Sequence, residues 1–231
     1  MSSHHDNSVL HTAVPSSTSN QQQQQQQQQS TSIATLLCDF FEIFTYSILH
    51  MRLVYPQTLF TLKRFHNIPV YVAAHPRLQA YVASNIRALI PFIAAASVRR
   101  LDVVLVDRLD SNREIERYVC EFEVETTSAQ TTQTSATSAA DIARQLSLFV
   151  AKLKACESML GPAPSTRARQ LSFELQAHAD RADAGSDVWV EDEHALLCAY
   201  QPADASTTQV VPVKAMERPG VKVRMRCEHK R

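Results

Sequence analysis

Apolar residues recur every three or four positions from Ile33 onward, at Ile33, Leu36, Leu37, Phe40, Phe41, Phe44, Ile48 and Met51. One face of a helix carries them all. Three phenylalanines on a single stripe are too apolar for a helix lying alone on a surface, so this segment is expected to organise a core. Tyr55-Pro56 predicts its end, because the proline ring disfavours helical geometry in the preceding residue. The residues before it are polar and include nine consecutive glutamines, Gln21 to Gln29. Little there can be buried, so 1–30 reads as a disordered arm and 31–231 as one domain.

Beyond the first helix the period changes. Two apolar runs flank Asn67 within 59–74, which predicts a short hairpin. His75-Pro76 opens a second helical stripe through Leu78, Tyr81, Val82, Ile86, Leu89 and Ile93, with a kink or an end at Pro91. Leu101 to Val106 reads as a strand buried on both faces. Asp110-Ser111-Asn112 turns the chain into an alternating run in which Tyr118, Cys120, Phe122 and Val124 share one face. A loop without core-forming residues (126–140) leads to a third helix over 141–160, ended by Gly161-Pro162. The remainder is extended. Alternation appears at Leu171–Ala177 and at Val221–Cys227, and Pro212 marks Gln209–Val213 as an edge strand. Helices packed on one sheet give an α+β domain.

Composition changes this picture little. Of 231 residues 45% are apolar and 20% charged, and 23 Lys+Arg balance 23 Asp+Glu. A chain that holds nucleic acid through phosphates usually carries a basic excess, so direct nucleic-acid binding is not expected. The run 217–231 is the one basic stretch, and it reads as a solvated strand face and tail. Cys38, Cys120, Cys156, Cys198 and Cys227 form no CxxC and are odd in number, as expected of small apolar residues in a reducing compartment. Neither a secretory signal nor a run of about 18 apolar residues is evident, so a soluble intracellular protein without a membrane partner is expected.

Catalytic spacing is missing. Three glycines leave no phosphate-cradling loop, and there is no HExxH, GxSxG or paired Cys/His arrangement. No metal and no cofactor are expected, and Glu191-Asp192-Glu193 reads as a solvated loop. Trp189, the one tryptophan, is either core or a binding anchor. On the residues alone, this is a non-enzymatic interaction module.

Four segments carry a resemblance: LLCDFFEIFTYSILHMRLVYP (36–56), NIPVYVAAHPRLQAYV (67–82), LDVVLVDR with ERYVCEFE (101–108 and 116–123), and VVPVKAM (210–216). With them, residues 33–231 resemble the HORMA-domain family, and within it the accessory subunits of translesion DNA polymerase zeta, B-type relatives of the mitotic-arrest checkpoint protein. The resemblance lapses in 126–140, 161–187 and 201–208.

That resemblance implies a HORMA-like α+β fold, with three helices on a mainly antiparallel sheet and a C-terminal safety belt (181–231). The belt closes over an extended, proline-containing peptide of the zeta catalytic subunit, which Tyr81 and Trp189 contact. A second surface, mapping to Val210, Pro212, Arg224 and Arg226, receives the C-terminal domain of a Rev-one-type deoxycytidyl transferase. Two family residues, a glutamine and a tyrosine, are Arg224 and Arg226 here, so either that contact is lost or its partner is acidic. An arginine of the family's self-association surface corresponds to Ser147. An AAA+ remodelling ATPase is a further implied partner, and the nucleus the implied location. The alternative within the family is a spindle-checkpoint or meiotic chromosome-axis protein that binds a different peptide.

Overall fold

The apolar stripe forms a helix, α1 (Ser17–Met51), around which the other elements pack. The computed structural model describes residues 17–124, 139–163, 170–179 and 208–230, with side chains from residue 32 onward. Helical backbone begins at Ser17 and takes in Gln21–Gln29, ahead of the apolar stripe. Glutamine has a good helix propensity, and adding turns to a helix already nucleated by packing is easy. Residues 1–16 lie outside the described part. The C-terminus of α1 also comes earlier than Tyr55. Leu53 adopts a left-handed φ of 54°, and the Val54 and Leu53 amides donate back to the Leu49 and His50 carbonyls, a Schellman closure that satisfies two end carbonyls.

Next, β1 (Phe60–Phe65) and β2 (Ile68–Ala73) form a separate antiparallel hairpin, Phe60 opposite Ala73 and Phe65 opposite Ile68. Its two-residue turn is His66-Asn67, with φ of 43° and 68°, the pair of positive values a type I′ turn needs. Then α2 (Pro76–Arg87) starts with its proline in the first turn, and a short α3 (Ile90–Ala94) takes up Pro91 in the same way. Pro91 therefore marks a break between two helices.

Among the described residues five strands build the main sheet: β3 (Val98–Asp107), β4 (Arg113–Val124), β5 (Leu171–Ala179), β6 (Thr208–Arg218) and β7 (Val221–Lys230). Their order is β5-β3-β4-β7-β6, and every neighbouring pair is antiparallel. Strand β3, flanked by β5 and β4, is buried on both faces from Arg100 to Asp107, as its apolar run predicts. Pro212 does sit on an edge strand, at a bulge between Pro212 and Lys214. The long helix α4 (Ala139–Cys156) precedes β5, and Gly161, at φ 76°, turns the chain beyond it.

Aromatic rings tie α1 both to the sheet and to α4. Phe41 lies 5.1 Å from Phe122 of β4, and Phe40 lies 5.9 Å from Phe149 of α4. Leu101, Val103 and Leu105 of β3 and Val223 of β7 join the same core. By length and composition Ser32–Met51 would also pass for a membrane-crossing helix, but about two thirds of it is buried inside this core. Cys38, Cys120, Cys156 and Cys227 are all buried free thiols, filling space as small apolar residues.

Candidate functional site

One long edge of the main sheet, the outer side of β5, pairs with no other strand among the described residues. An unpaired edge presents backbone N–H and C=O groups that can take up another extended segment. A groove of about 610 Å³ runs beside its first residues, between Ser172–Glu174, the start of α2 and the β3–β4 turn.

Three aromatic rings shape the groove. Phe173 is the hub. Tyr81 of α2 meets it edge-on at 5.7 Å, and Tyr55, from the stretch after α1, meets it at 6.3 Å. Tyr81 is placed there by the α2 periodicity, since Leu78 and Val82 turn into the core and leave Tyr81 half-buried at the rim. Burial raises the Tyr55 phenol above its ordinary pKa, with the Arg108 guanidinium pulling the other way. The phenol therefore stays protonated and able to donate.

The opposite edge is β6, and the second predicted surface lies there. Pro212 stands opposite Arg226 in the β6–β7 register. Val210 and Pro212 are exposed while Val211 and Val213 are buried, so the first two share the outward face with Arg224 and Arg226. All four predicted residues are thus brought together, with Val210 53% exposed. Their charges are not equivalent. Arg226 donates to Glu121 of β4 at 2.6 Å and to Glu228 at 2.8 Å, so its acidic counterpart lies within the chain. Arg224 is exposed.

Much of the basic C-terminal stretch is neutralised in the same way. Lys222 lies 3.5 Å from Glu123 and 3.6 Å from Glu217, and Lys230 lies 3.4 Å from Glu114. Trp189 and Glu191–Glu193 fall in 180–207, outside the described residues. Ser147 is buried, its hydroxyl donating to the Arg144 carbonyl at 2.7 Å, so it offers nothing to a partner surface.

Two polar clusters have no counterpart in the sequence reading. Arg52, just past α1, pairs with buried Glu116 of β4 and donates to the Gly161 and Pro162 carbonyls, both at 3.1 Å. On the face of the sheet away from the helices, buried Asp102 accepts from Arg100 and Arg117, and His178 Nε2 lies 3.2 Å away. Burial opposes the charge on Asp102, but the bonds from His178, Arg100 and Arg117 outweigh it and lower the pKa to about 2. Among the described residues no three His, Cys, Asp or Glu side chains converge as a metal site would require.

No protein-family model matches the chain. It is 24% identical over 198 residues to "Mitotic spindle assembly checkpoint protein MAD2B" of Homo sapiens, covering 86% of this chain and 91% of that one. It is 27% identical over 135 residues to "DNA polymerase zeta processivity subunit" of Arabidopsis thaliana, covering 58% of this chain and 60% of that one. Among solved structures, a chain of the mitotic checkpoint complex superposes with a TM-score of 0.66 at 17% identity, covering 86% of this chain and 98% of that one. HTP-2 of C. elegans, bound to HTP-3 closure motif 1, gives 0.65 at 12% identity and 85% of each chain.

Proposed function

This chain being a HORMA-domain protein related to MAD2B, with the α+β HORMA fold, we propose that it is a non-catalytic adaptor of DNA polymerase zeta. It captures an extended, proline-containing peptide of the catalytic subunit by strand addition at β5. The safety belt, 181–231, closes over that peptide, which Tyr81 and Trp189 contact. On the far edge, Val210 and Pro212 with Arg224 and Arg226 receive the Rev-one-type transferase. The work is done in the nucleus, during error-prone synthesis past lesions, and an AAA+ ATPase reopens the belt.

The observation that carries this reading is the β5 edge, unpaired among the described residues, beside the Tyr81–Phe173 groove, on a sheet whose other side already holds the β6–β7 hairpin. Chain connectivity supports it. Ala179 pairs with Val98 at one end of the sheet. Thr208, opposite Lys230, stands at the other end and on the other edge. The ends are about 30 Å apart by strand spacing and rise. The 28 residues 180–207 can reach up to about 90 Å, enough to pass around an added strand. Main-chain bonds would supply affinity, and a closed belt would act chiefly by slowing release.

Co-purification with the zeta catalytic subunit tests the reading. Tyr81→Ala and Trp189→Ala are each expected to weaken capture by about 2 kcal/mol or more, as buried anchors do. Capture undiminished by both changes would sink the mechanism. The likeness to a chain of the mitotic checkpoint complex keeps a checkpoint or meiotic-axis role as the second reading. Recovery of a checkpoint or chromosome-axis protein in place of the polymerase subunit would favour it.

A further inference from the structure

The groove beside β5 has a charge as well as a shape. Arg77 lies in the first turn of α2, where there is no acidic residue and no side-chain cap. Arg108 follows β3 directly, at the start of the turn into β4. Both line the groove and both are exposed. Neither is engaged in an ion pair among the described residues, whereas Arg52, Arg87, Arg117 and Arg226 are each held by a carboxylate. The carboxylate lining the groove, Glu174, accepts a hydrogen bond from Gln176 at 3.1 Å.

We infer that the segment captured at β5 carries an Asp or Glu side chain that Arg77 and Arg108 recognise, close to an apolar side chain packed on Tyr81 and Phe173. This rests on the strand-capture reading above and adds a sequence requirement to it. Strand addition by itself reads little sequence, because main-chain bonds are common to all peptides. Selectivity then falls to side chains, which alternate between the two faces of the added strand. An aromatic wall selects an apolar residue, and planar guanidinium groups match a carboxylate. A phosphate dianion would meet Glu174 at the same opening, so a monoanion suits the groove better.

Selection of a displayed library of random peptides against the full chain, at low and at high salt, tests this. Acidic residues are expected at one fixed offset from an apolar position, with the preference weakening at high salt. Arg77→Glu with Arg108→Glu is expected to weaken binding of a selected acidic peptide about tenfold and to turn the selection toward Lys and Arg. Peptides that bind the wild-type chain without acidic enrichment would overturn the charge requirement and leave strand capture standing. A library that yields no binders at either salt would overturn strand capture and this inference with it. A phosphoserine in place of the selected acidic residue that binds tighter would overturn the choice of a carboxylate. The wild-type selection decides the matter even if the double variant fails to fold.

Discussion

Arg52 and Glu116 face each other inside the protein, the guanidinium donating to both carboxylate oxygens, with Nε–Oε2 at 2.8 Å. Tyr118 donates to the same carboxylate at 2.9 Å. The pair ties the end of α1, the turn after α4 and strand β4 together at one point. His229 of β7 adds a close approach, its Nδ1 lying 3.2 Å from Glu116 but outside hydrogen-bond alignment.

Breaking this pair on one side leaves a buried charge without its partner. Arg52→Ala and Glu116→Ala are each expected to lose about 3–5 kcal/mol in urea unfolding. Arg52→Met combined with Glu116→Leu should lose much less, because no charge is stranded. Equal losses in the single and double variants would mean that packing, not charge, sets the cost.

Asp102 gives the fold an acid limit. Its pKa is about 2 in the folded chain against an ordinary 3.8, so it contributes stability that is fully present above the ordinary value and is lost as pH falls through about 2. The shift corresponds to about 2 kcal/mol. Unfolding followed from about pH 5 down to about pH 2 should show this loss, and Asp102→Asn should flatten that part of the curve while lowering stability at neutral pH.

The β1–β2 turn reports on backbone conformation alone. Asn67 holds φ at 68°, a region that β-branched residues avoid. Asn67→Val is expected to cost about 1–2 kcal/mol, while Asn67→Gly should be neutral or slightly stabilising. Thermal unfolding of the two variants separates this effect from any change in packing.

At the β6 face, Val210→Asp removes an exposed apolar group without touching the core. Stability should stay within about 0.5 kcal/mol of wild type, while binding of the transferase C-terminal domain is lost in a titration. Retained binding would move that partner away from Val210 and Pro212.

Much of the fold is legible because burial leaves a local period. The stripe through Phe40, Phe41 and Phe44 and the alternation of Val221, Val223, Met225 and Cys227 both report the face that turns inward. Interactions between distant positions leave no such trace. Arg52 and Glu116 stand 64 residues apart, and Arg226 and Glu121 stand 105 apart. Arg226 by itself suggests a cation awaiting a partner, and only the β4–β7 register reveals its internal carboxylate. A motif singles out Tyr81, but the groove also needs Phe173 and Arg108, which no spacing connects to it.

The two edges of the main sheet are unequal. On β6, Pro212 lacks an N–H and the ladder is interrupted between Pro212 and Lys214. On β5 the pairing with β3 runs unbroken from Arg100–His178 to Asp107–Leu171. Of the two, β5 therefore presents the more regular backbone to an added extended segment.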